Sequence, residues 1–369
     1  MRLMKKRFLL IAAFAAILVS CGTAQSVKRT AVEECDIENV GTRKFLEEVN
    51  YAADTAYTLS FAREYMDQYG ANDKPLPVRI AWTGEAAKLV LSTAANFKGV
   101  VEQPVSDSPA EIFNLIPGVN YFYKVLDRNG KAIKTGCVRP VGPLRWINGI
   151  AENVRDLGGW QADGGHIAYG KIYRGARLSS RMPQSGKDIF LKDLGIALDL
   201  DLRGIKESEA HVGPVIDGAD YLKFPVEKNL GRGTGNTQEL YQQAIRAILG
   251  YLSEGKPVYF HCAGGADRTG SLAFLIEALV GVSESDLSKD YELTTFAKTN
   301  KRLRNFRATE KETHILYELI TYLRKFGDPK TMSINELTYN WATTRHADNV
   351  DPLSPEEIEL LRKYLIVKD

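Results

Sequence analysis

Hydrophobic and polar positions alternate in two different rhythms along this chain, and the change of rhythm divides it. From about residue 45 to 145 the apolar residues come in short β-prone runs separated by turn residues. Pro77-Val-Arg-Ile-Ala-Trp82 and Ala87-Lys-Leu-Val-Leu-Ser92 read as strands, and the pattern continues through Ile112 to Val125. Asp127-Arg-Asn-Gly130 supplies the turn of a hairpin. Beyond residue 146, strand-like runs alternate with helical periodicity. Ile196–Leu202, Tyr221–Val226 and Val258–His261 read as strands. Gln238–Leu252 places Leu240, Ala244, Ile245, Ile248, Leu249 and Leu252 on one helical face. Residues 310–325 and 355–365 add helices, the second entered through Ser354-Pro-Glu-Glu, an N-cap followed by proline and first-turn acids. The fold class expected is therefore an α/β domain over 146–369, with a central, mainly parallel sheet flanked by helices, preceded by a smaller all-β sandwich over 45–145.

The sharpest chemical signal lies where one of these strands meets a helix. His261-Cys-Ala-Gly-Gly-Ala-Asp-Arg-Thr-Gly270 follows the apolar Pro257-Val-Tyr-Phe260 and precedes the almost wholly apolar Leu272–Val280. Strand, glycine-containing loop and helix N-terminus together point backbone N–H groups at an anion. A cation and a helix N-terminus lower a thiol's pKa, so Cys262 is the candidate nucleophile. Arg268 offers a planar fork for two phosphate oxygens. Ala263, Gly264, Gly265, Ala266 and Gly270 form the candidate phosphate-binding loop, and Gly264 and Gly265 allow it to curl around an oxyanion. Thr269 is placed to hydrogen-bond the cysteine sulfur, and His261 to tether the loop from behind. A bare Cys-x5-Arg would suit a buried structural cysteine and a surface arginine equally well; the flanking residues argue against that. A Walker loop is excluded because no Gly-Lys-Ser/Thr follows the glycines.

This loop resembles the signature of the cysteine-dependent protein-tyrosine phosphatases, in the bacterial tyrosine/dual-specificity branch whose loop reads HCxxGKDRTG. Two further motifs of that branch have counterparts here. Asn153-Val-Arg-Asp-Leu-Gly-Gly159 is one, with Arg155 and Asp156 as supporting residues. Ile172-Tyr-Arg-Gly175 followed by Leu198-Asp-Leu-Asp-Leu-Arg203, with Arg203 supporting and Glu207 and Glu209 beyond it, is the other. The resemblance covers residues 147–369. It implies hydrolysis of phosphomonoesters through a phosphocysteine intermediate, with phosphotyrosine, and also phosphoserine or phosphothreonine, as the substrate class. An inositol-phosphate or phosphoinositide phosphatase is the rival enzyme, and a silent phosphate-binding surface protein the rival from another class. Where the branch has a lysine this chain has Ala266, which weakens the lipid-phosphate reading.

The leaving-group acid is left between two residues. Phe224–Asn236, the stretch where many related phosphatases carry an aspartate, contains only Glu227 as a carboxylate, whereas Asp267 lies inside the loop itself. Asp267 is a candidate acid or a brace for the loop and Arg268. No cofactor is expected, and no metal, since the five histidines are scattered. Lys298, Lys301, Arg302, Arg304, Arg307 and Lys311 read first as a solvated helix face, and otherwise as a pocket lining for a multiply phosphorylated substrate.

The N-terminus places the chemistry in the cell envelope. Lys5-Lys-Arg7 precedes the apolar run Phe8–Val19, too short for a comfortable span but suited to a signal peptide over 1–20. Leu18-Val-Ser-Cys21 resembles a bacterial lipobox, which implies lipid on Cys21, a tether over 21–44, and a lipid-anchored protein on the periplasmic or cell-surface face. Processing there removes four cations and no acid, which turns the formal charge from +2 to −2 and withdraws any electrostatic case for nucleic-acid partners. The expected partners are the phosphorylated protein or inositol phosphate and the membrane. Cys35 and Cys137 remain, with pairing and free thiols both open. Finally, Leu115-Ile-Pro-Gly-Val-Asn-Tyr-Phe-Tyr123 resembles the tyrosine-anchored signature of fibronectin type III-like sandwiches, which implies a spacer or structural module over 45–145.

Overall fold

A computed structural model describes residues 31–48, 65–70, 73–205, 213–227, 229–231, 236–297 and 315–368. The signal peptide, Cys21, Glu207, Glu209 and the cationic run from Lys298 to Lys311 lie outside them. The chain divides into two compact units, one of residues 1–37 and 76–142, the other of 38–75 and 143–369.

The first unit is all β among its described residues. β1 (Val32–Asp36), β2 (Val78–Ile80), β3 (Lys88–Ser92), β4 (Val101–Pro104), β5 (Ala110–Ile112), β6 (Tyr121–Leu126) and β7 (Ala132–Val141) form a five-stranded sheet, ordered β1-β7-β6-β3-β4, and a β2-β5 pair. Both contribute to one core containing Ile80, Trp82, Leu89, Leu91, Ile112, Tyr123 and Val125. The β6–β7 hairpin closes at the anticipated turn, where Asp127 Oδ1 accepts from the N–H groups of Asn129 and Lys131 at 2.9 Å. Tyr121 Oη accepts the N–H of Ile116 at 2.9 Å, so the tyrosine does anchor the strand that follows the turn. Cys35 and Cys137 are both free thiols. Cys137 faces Val32 in the β1–β7 ladder, three positions from Cys35.

The tether anticipated over 21–44 departs from this picture at its C-terminal end. Val32–Asp36 is a strand, paired in parallel with β7, and it escaped the periodicity because four of its five side chains are exposed. The stretch assigned to the sandwich from residue 45 also divides differently. Residues 38–75 group with the second unit, where α1 (Val40–Leu46) sets the fully buried Phe45 against Phe296, ring centroids 5.6 Å apart.

The second unit is α/β. β8 (Arg155–Asp156), β11 (Ile172–Ala176), β12 (Leu198–Asp201), β13 (Asp220–Lys223) and β14 (Val258–Cys262) form a sheet ordered β13-β12-β14-β11-β8. All its pairings are parallel except β8 with β11. β9 (Gln161–Ala162), β10 (Gly165–Ile167) and β15 (Ile366–Val367) make a small second sheet. Around these lie α2 (Gln184–Asp188), α3 (Thr237–Ser253), α4 (Asp267–Leu279), α5 (Glu284–Glu292), α6 (Ile315–Leu323), α7 (Ile334–Ala342) and α8 (Pro355–Leu365). Ser354 and Glu357 form the reciprocal cap that the sequence pattern anticipates at the start of α8. β14 and α4 are the buried axis of the unit: every residue of β14 is buried, as is every residue of α4 from Thr269 to Leu279. The nucleophile loop joins these two elements, so the best-packed part of the domain holds it.

Candidate active site

The loop from Cys262 to Arg268 leaves β14 at its C-terminal end and closes into the first turn of α4. Its conformation follows from what holds its carbonyls. Cys262 O faces His261 Nδ1 at 3.1 Å, and Ala263 O accepts the N–H of Arg177 at 3.3 Å. Gly264 O accepts from Asn153 Nδ2 at 3.2 Å. Gly265 O accepts from Asn153 Nδ2 and Arg174 Nη2, both at 3.1 Å. Because C=O and N–H point oppositely across a trans peptide, four successive carbonyls held by surrounding residues turn the next four N–H groups, of Ala263 to Ala266, into the loop. That is an anion-binding nest aligned with a helix N-terminus. Gly265 is obligatory in it. Its φ is +65°, and an added Cβ would lie 2.3 Å from the backbone carbon of Gly175.

Cys262 is 3 % exposed at the base of this nest. Burial pushes its thiol up, but the Arg268 charge and hydrogen bonding from the Thr269 hydroxyl and N–H outweigh it and leave the pKa below the ordinary thiol value. Thr269 is fully buried, and the sulfur is the group on which its hydroxyl acts. Arg268 is half-buried, with Nη1 on the carbonyl of Val226 at 3.3 Å. The Arg268 carbonyl accepts from Tyr241 Oη at 3.1 Å, and Tyr291 packs so closely on Gly270 that a Cβ there would meet its ring at 2.6 Å.

His261 is fully enclosed. Its Nε2 lies 3.0 Å from Asp199 Oδ1, while its Nδ1 faces the Cys262 carbonyl and, at 3.9 Å, Asp201. Both ring nitrogens meet only acceptor oxygens, which calls for a proton on each. Burial opposes that charge, yet Asp199 and Asp201 overcome it and raise the pKa. Arg203 is committed elsewhere. Its Nε and Nη2 grip the Asp201 carboxylate, with a shortest contact of 2.7 Å, and Tyr221 Oη adds another at 2.7 Å. Arg203 therefore supports His261 through Asp201.

Beneath the loop lies a second charged cluster, and the Asn153–Gly159 segment builds half of it. Asn153 adopts φ +57° and spends its amide on Gly264, Gly265 and Thr294. Its Oδ1 accepts from Arg155 Nη1 at 2.8 Å. Arg155 and Arg174 share the carboxylate of Asp290, Arg155 Nε at 2.9 Å. Burial would raise Asp290, but the two guanidiniums hold it below its usual range. Glu277, on α4 beside them, is completely buried, with both carboxyl oxygens unpartnered. Burial, and then the charge of Asp290, push its pKa well up. Two buried guanidiniums on one carboxylate thus underlie the nest. Asp156, the neighbour of Arg155 on β8, does structural work instead, accepting from the N–H groups of Gly158 and Gly170 and from Arg145.

Both acid candidates are within the unit, in different circumstances. Asp267 is the first residue of α4 and half-buried, and its carbonyl accepts from Ser271 Oγ at 3.0 Å. Glu227 is exposed, and its Oε1 is occupied by the N–H of Ile205 at 2.8 Å. Sequence reasoning did not single out Asp199, Asp290, Glu277, Arg174 as a loop ligand, or Thr294. A signal existed for several: a charge set in an apolar run, as in Ile172-Tyr-Arg, Leu198-Asp-Leu-Asp and Leu275-Ile-Glu-Ala, needs a buried partner.

Residues 148–366 match the model of a family described as the tyrosine phosphatase family. A Cupriavidus necator protein, named provisionally as a tyrosine-protein phosphatase, is 28% identical over 183 residues, which cover 43% of this chain and 64% of that protein. The match thus spans less than two thirds of the relative's length. Among solved structures, the core catalytic domain of the PP-IP phosphatase SIW14 from S. cerevisiae aligns at 18% identity over 41% of this chain and 88% of that one, TM-score 0.28. TpbA of P. aeruginosa, in a complex with pTyr, aligns at 15% identity over 43% of this chain and 90% of that one, TM-score 0.27. Overlaps this low carry no argument about the present chain.

Proposed function

The chain belongs to the tyrosine phosphatase family, and on that premise we propose that it is a phosphomonoester hydrolase whose substrates are phosphotyrosine proteins, with phosphoserine and phosphothreonine admitted. One observation carries the proposal: four consecutive loop carbonyls are held from outside, so the N–H groups above a thiol of lowered pKa are set for a phosphate before it arrives. In the first step the Cys262 thiolate attacks phosphorus, the S–P bond forms, and the ester P–O bond breaks as Asp267 gives its proton to the departing oxygen. In the second, water attacks phosphorus, its proton returns to Asp267, and the sulfur leaves as thiolate, stabilised by Thr269. Arg268 and the nest hold the equatorial oxygens in both steps. The rim supports a phosphoprotein over a polyanion such as an inositol phosphate, since Ala266 brings no cation to the loop and the acidic Glu227 directly follows Val226, whose carbonyl Arg268 bonds.

The N-terminal signal residues support a lipid-anchored location through Cys21 on the outer side of a bacterial cytoplasmic or outer membrane. The Tyr121 anchor supports reading the first unit as a fibronectin type III-like spacer. The test uses residues 22–369 with phosphotyrosine peptides, inositol phosphates and p-nitrophenyl phosphate. Turnover of the peptides, abolished by Cys262→Ser with phosphate binding retained, is the expected result. Preference for inositol phosphates overturns the substrate class, and phosphate binding without turnover in the wild type overturns the enzyme.

A further inference from the structure

Asn153 is the bracket of the nest; Arg155 holds its side chain from within the segment, but its backbone is held from elsewhere. Its φ of +57° lies in the left-handed region, uncommon for a side chain other than glycine. Its backbone N–H is buried. It donates to Asp73 Oδ2 at 2.7 Å, across 80 positions of sequence. Asp73 is itself only 3 % exposed and lies outside residues 148–366, the region matched by the family model. The same N-terminal stretch reaches the site at a second place. Lys289, the neighbour of Asp290, donates from Nζ to the carbonyl of Leu46 at 2.9 Å, and Phe45 packs on Phe296, two residues past Thr294.

We propose that Asp73 is a positioning residue of the catalytic site, which fixes Asn153 and through it the Gly264 and Gly265 carbonyls and the anion-binding N–H groups of Gly265 and Ala266. The chain of contacts is continuous. The Asp73 carboxylate takes the Asn153 N–H; the Asn153 amide takes both glycine carbonyls; the glycine peptides present their N–H groups to phosphate. Without an acceptor at position 73 the buried N–H is orphaned, and the left-handed backbone loses the bond that favours it. A backbone that shifts at Asn153 draws its amide away from two loop carbonyls together. The consequence falls on oxyanion binding more than on the thiol, because Cys262 is set by β14, Thr269 and Arg268.

The proposal rests on the loop being a phosphate site, and the test separates it from the proposed activity by reading binding as well as turnover. Orthovanadate inhibition of p-nitrophenyl phosphate hydrolysis and calorimetric binding of inorganic phosphate are measured on residues 22–369 of wild type, Asp73→Ala and Asp73→Asn, each with its melting temperature. Asp73→Ala is expected to weaken both ligands by about tenfold or more, as one orphaned buried donor implies. It should raise KM more than it lowers kcat and leave the pH at which Cys262 is alkylated unchanged. Asp73→Asn keeps an acceptor oxygen and should recover most of the affinity. If Asp73→Ala does not fold, Asp73→Leu, which fills the volume without an acceptor, takes its place in the comparison. Unchanged vanadate and phosphate affinity in the alanine or leucine variant overturns the proposal. So does an asparagine variant no better than alanine, or a loss confined to melting temperature. A wild type that binds phosphate but hydrolyses nothing sinks the enzyme reading and leaves the binding comparison decisive for Asp73.

Discussion

Replacing Gly265 by alanine asks whether the nest depends on one backbone conformation. The residue sits at φ +65°, and the new Cβ would fall 2.3 Å from Gly175 C and 2.4 Å from Gly175 O. Holding alanine in the left-handed region costs about 1–2 kcal/mol. The clash is with backbone of β11, which cannot rotate away, so the loop must move. Movement takes the Gly265 carbonyl from Arg174 Nη2, a buried donor, at about 1–3 kcal/mol, while Asn153 Nδ2 keeps Thr294. The total is about 2–5 kcal/mol, and if about 2–3 kcal/mol of it reaches the transition state, kcat/KM falls about 30- to 150-fold. Gly264→Ala is the internal control. Its Cβ meets nothing within 4 Å and its φ is not left-handed, so a change of about threefold is expected. The assay is kcat/KM on p-nitrophenyl phosphate and on a phosphotyrosine peptide, with melting temperatures for all three proteins. If Gly265→Ala keeps more than about a third of wild-type activity, or if Gly264→Ala suffers equally, the outward carbonyls do not set the loop.

Two further outcomes are expected. Asp267→Asn should slow phosphotyrosine and alkyl phosphates far more than an ester with an acidic phenol, whereas Glu227→Gln should affect both alike; equal losses for Asp267→Asn would remove it as the acid. Burial would raise Asp201, but Arg203, His261 and Tyr221 outweigh it and lower its pKa to about 2. Since the folded value lies below the unfolded value of about 3.9, the carboxylate contributes about 2–3 kcal/mol above pH 4, lost as pH falls through about 2. Urea unfolding of wild type against Asp201→Asn should show a gap that closes over that window, and a gap constant from pH 6 to 2 would refute the assignment.

The parts of the site that local chemistry specifies were legible in the sequence. Pro257–Phe260, Gly264, Gly265 and the run from Leu272 have the composition of strand, curled loop and buried helix, and they fold so. Arg155 and Asp156 were visible only through a shared motif, with no partner named. The partners that give the motif its meaning come from far along the chain: Asp290 is 135 positions from Arg155, and Asp73 is 80 from Asn153. Periodicity reports which face of an element is buried, and says nothing of which buried charge meets which. β1 and α1 were missed for a related reason. An exposed edge strand and a seven-residue helix carry too little apolar pattern to stand out from a tether.

The parallel ladder between β1 and β7 has a consequence for how the chain assembles. Neither unit is a continuous stretch: the path runs through the first, the second, the first again and back to the second. Synthesis therefore completes the β unit at about residue 142, while Phe45 and Asp73 still await partners not yet made. Asp36 lies opposite Val141 in the ladder, and Ile37 donates its N–H to the Val141 carbonyl. Residues 38 and 143 thus leave the same end of the sheet side by side and in the same direction. Once the β unit has folded, the two chain exits at 38 and 143 are held together, and the entropy of closing the long loop between them has already been spent. A protein shortened to the family-matched residues would lose that closure together with Phe45, Leu46 and Asp73, all of which precede residue 148.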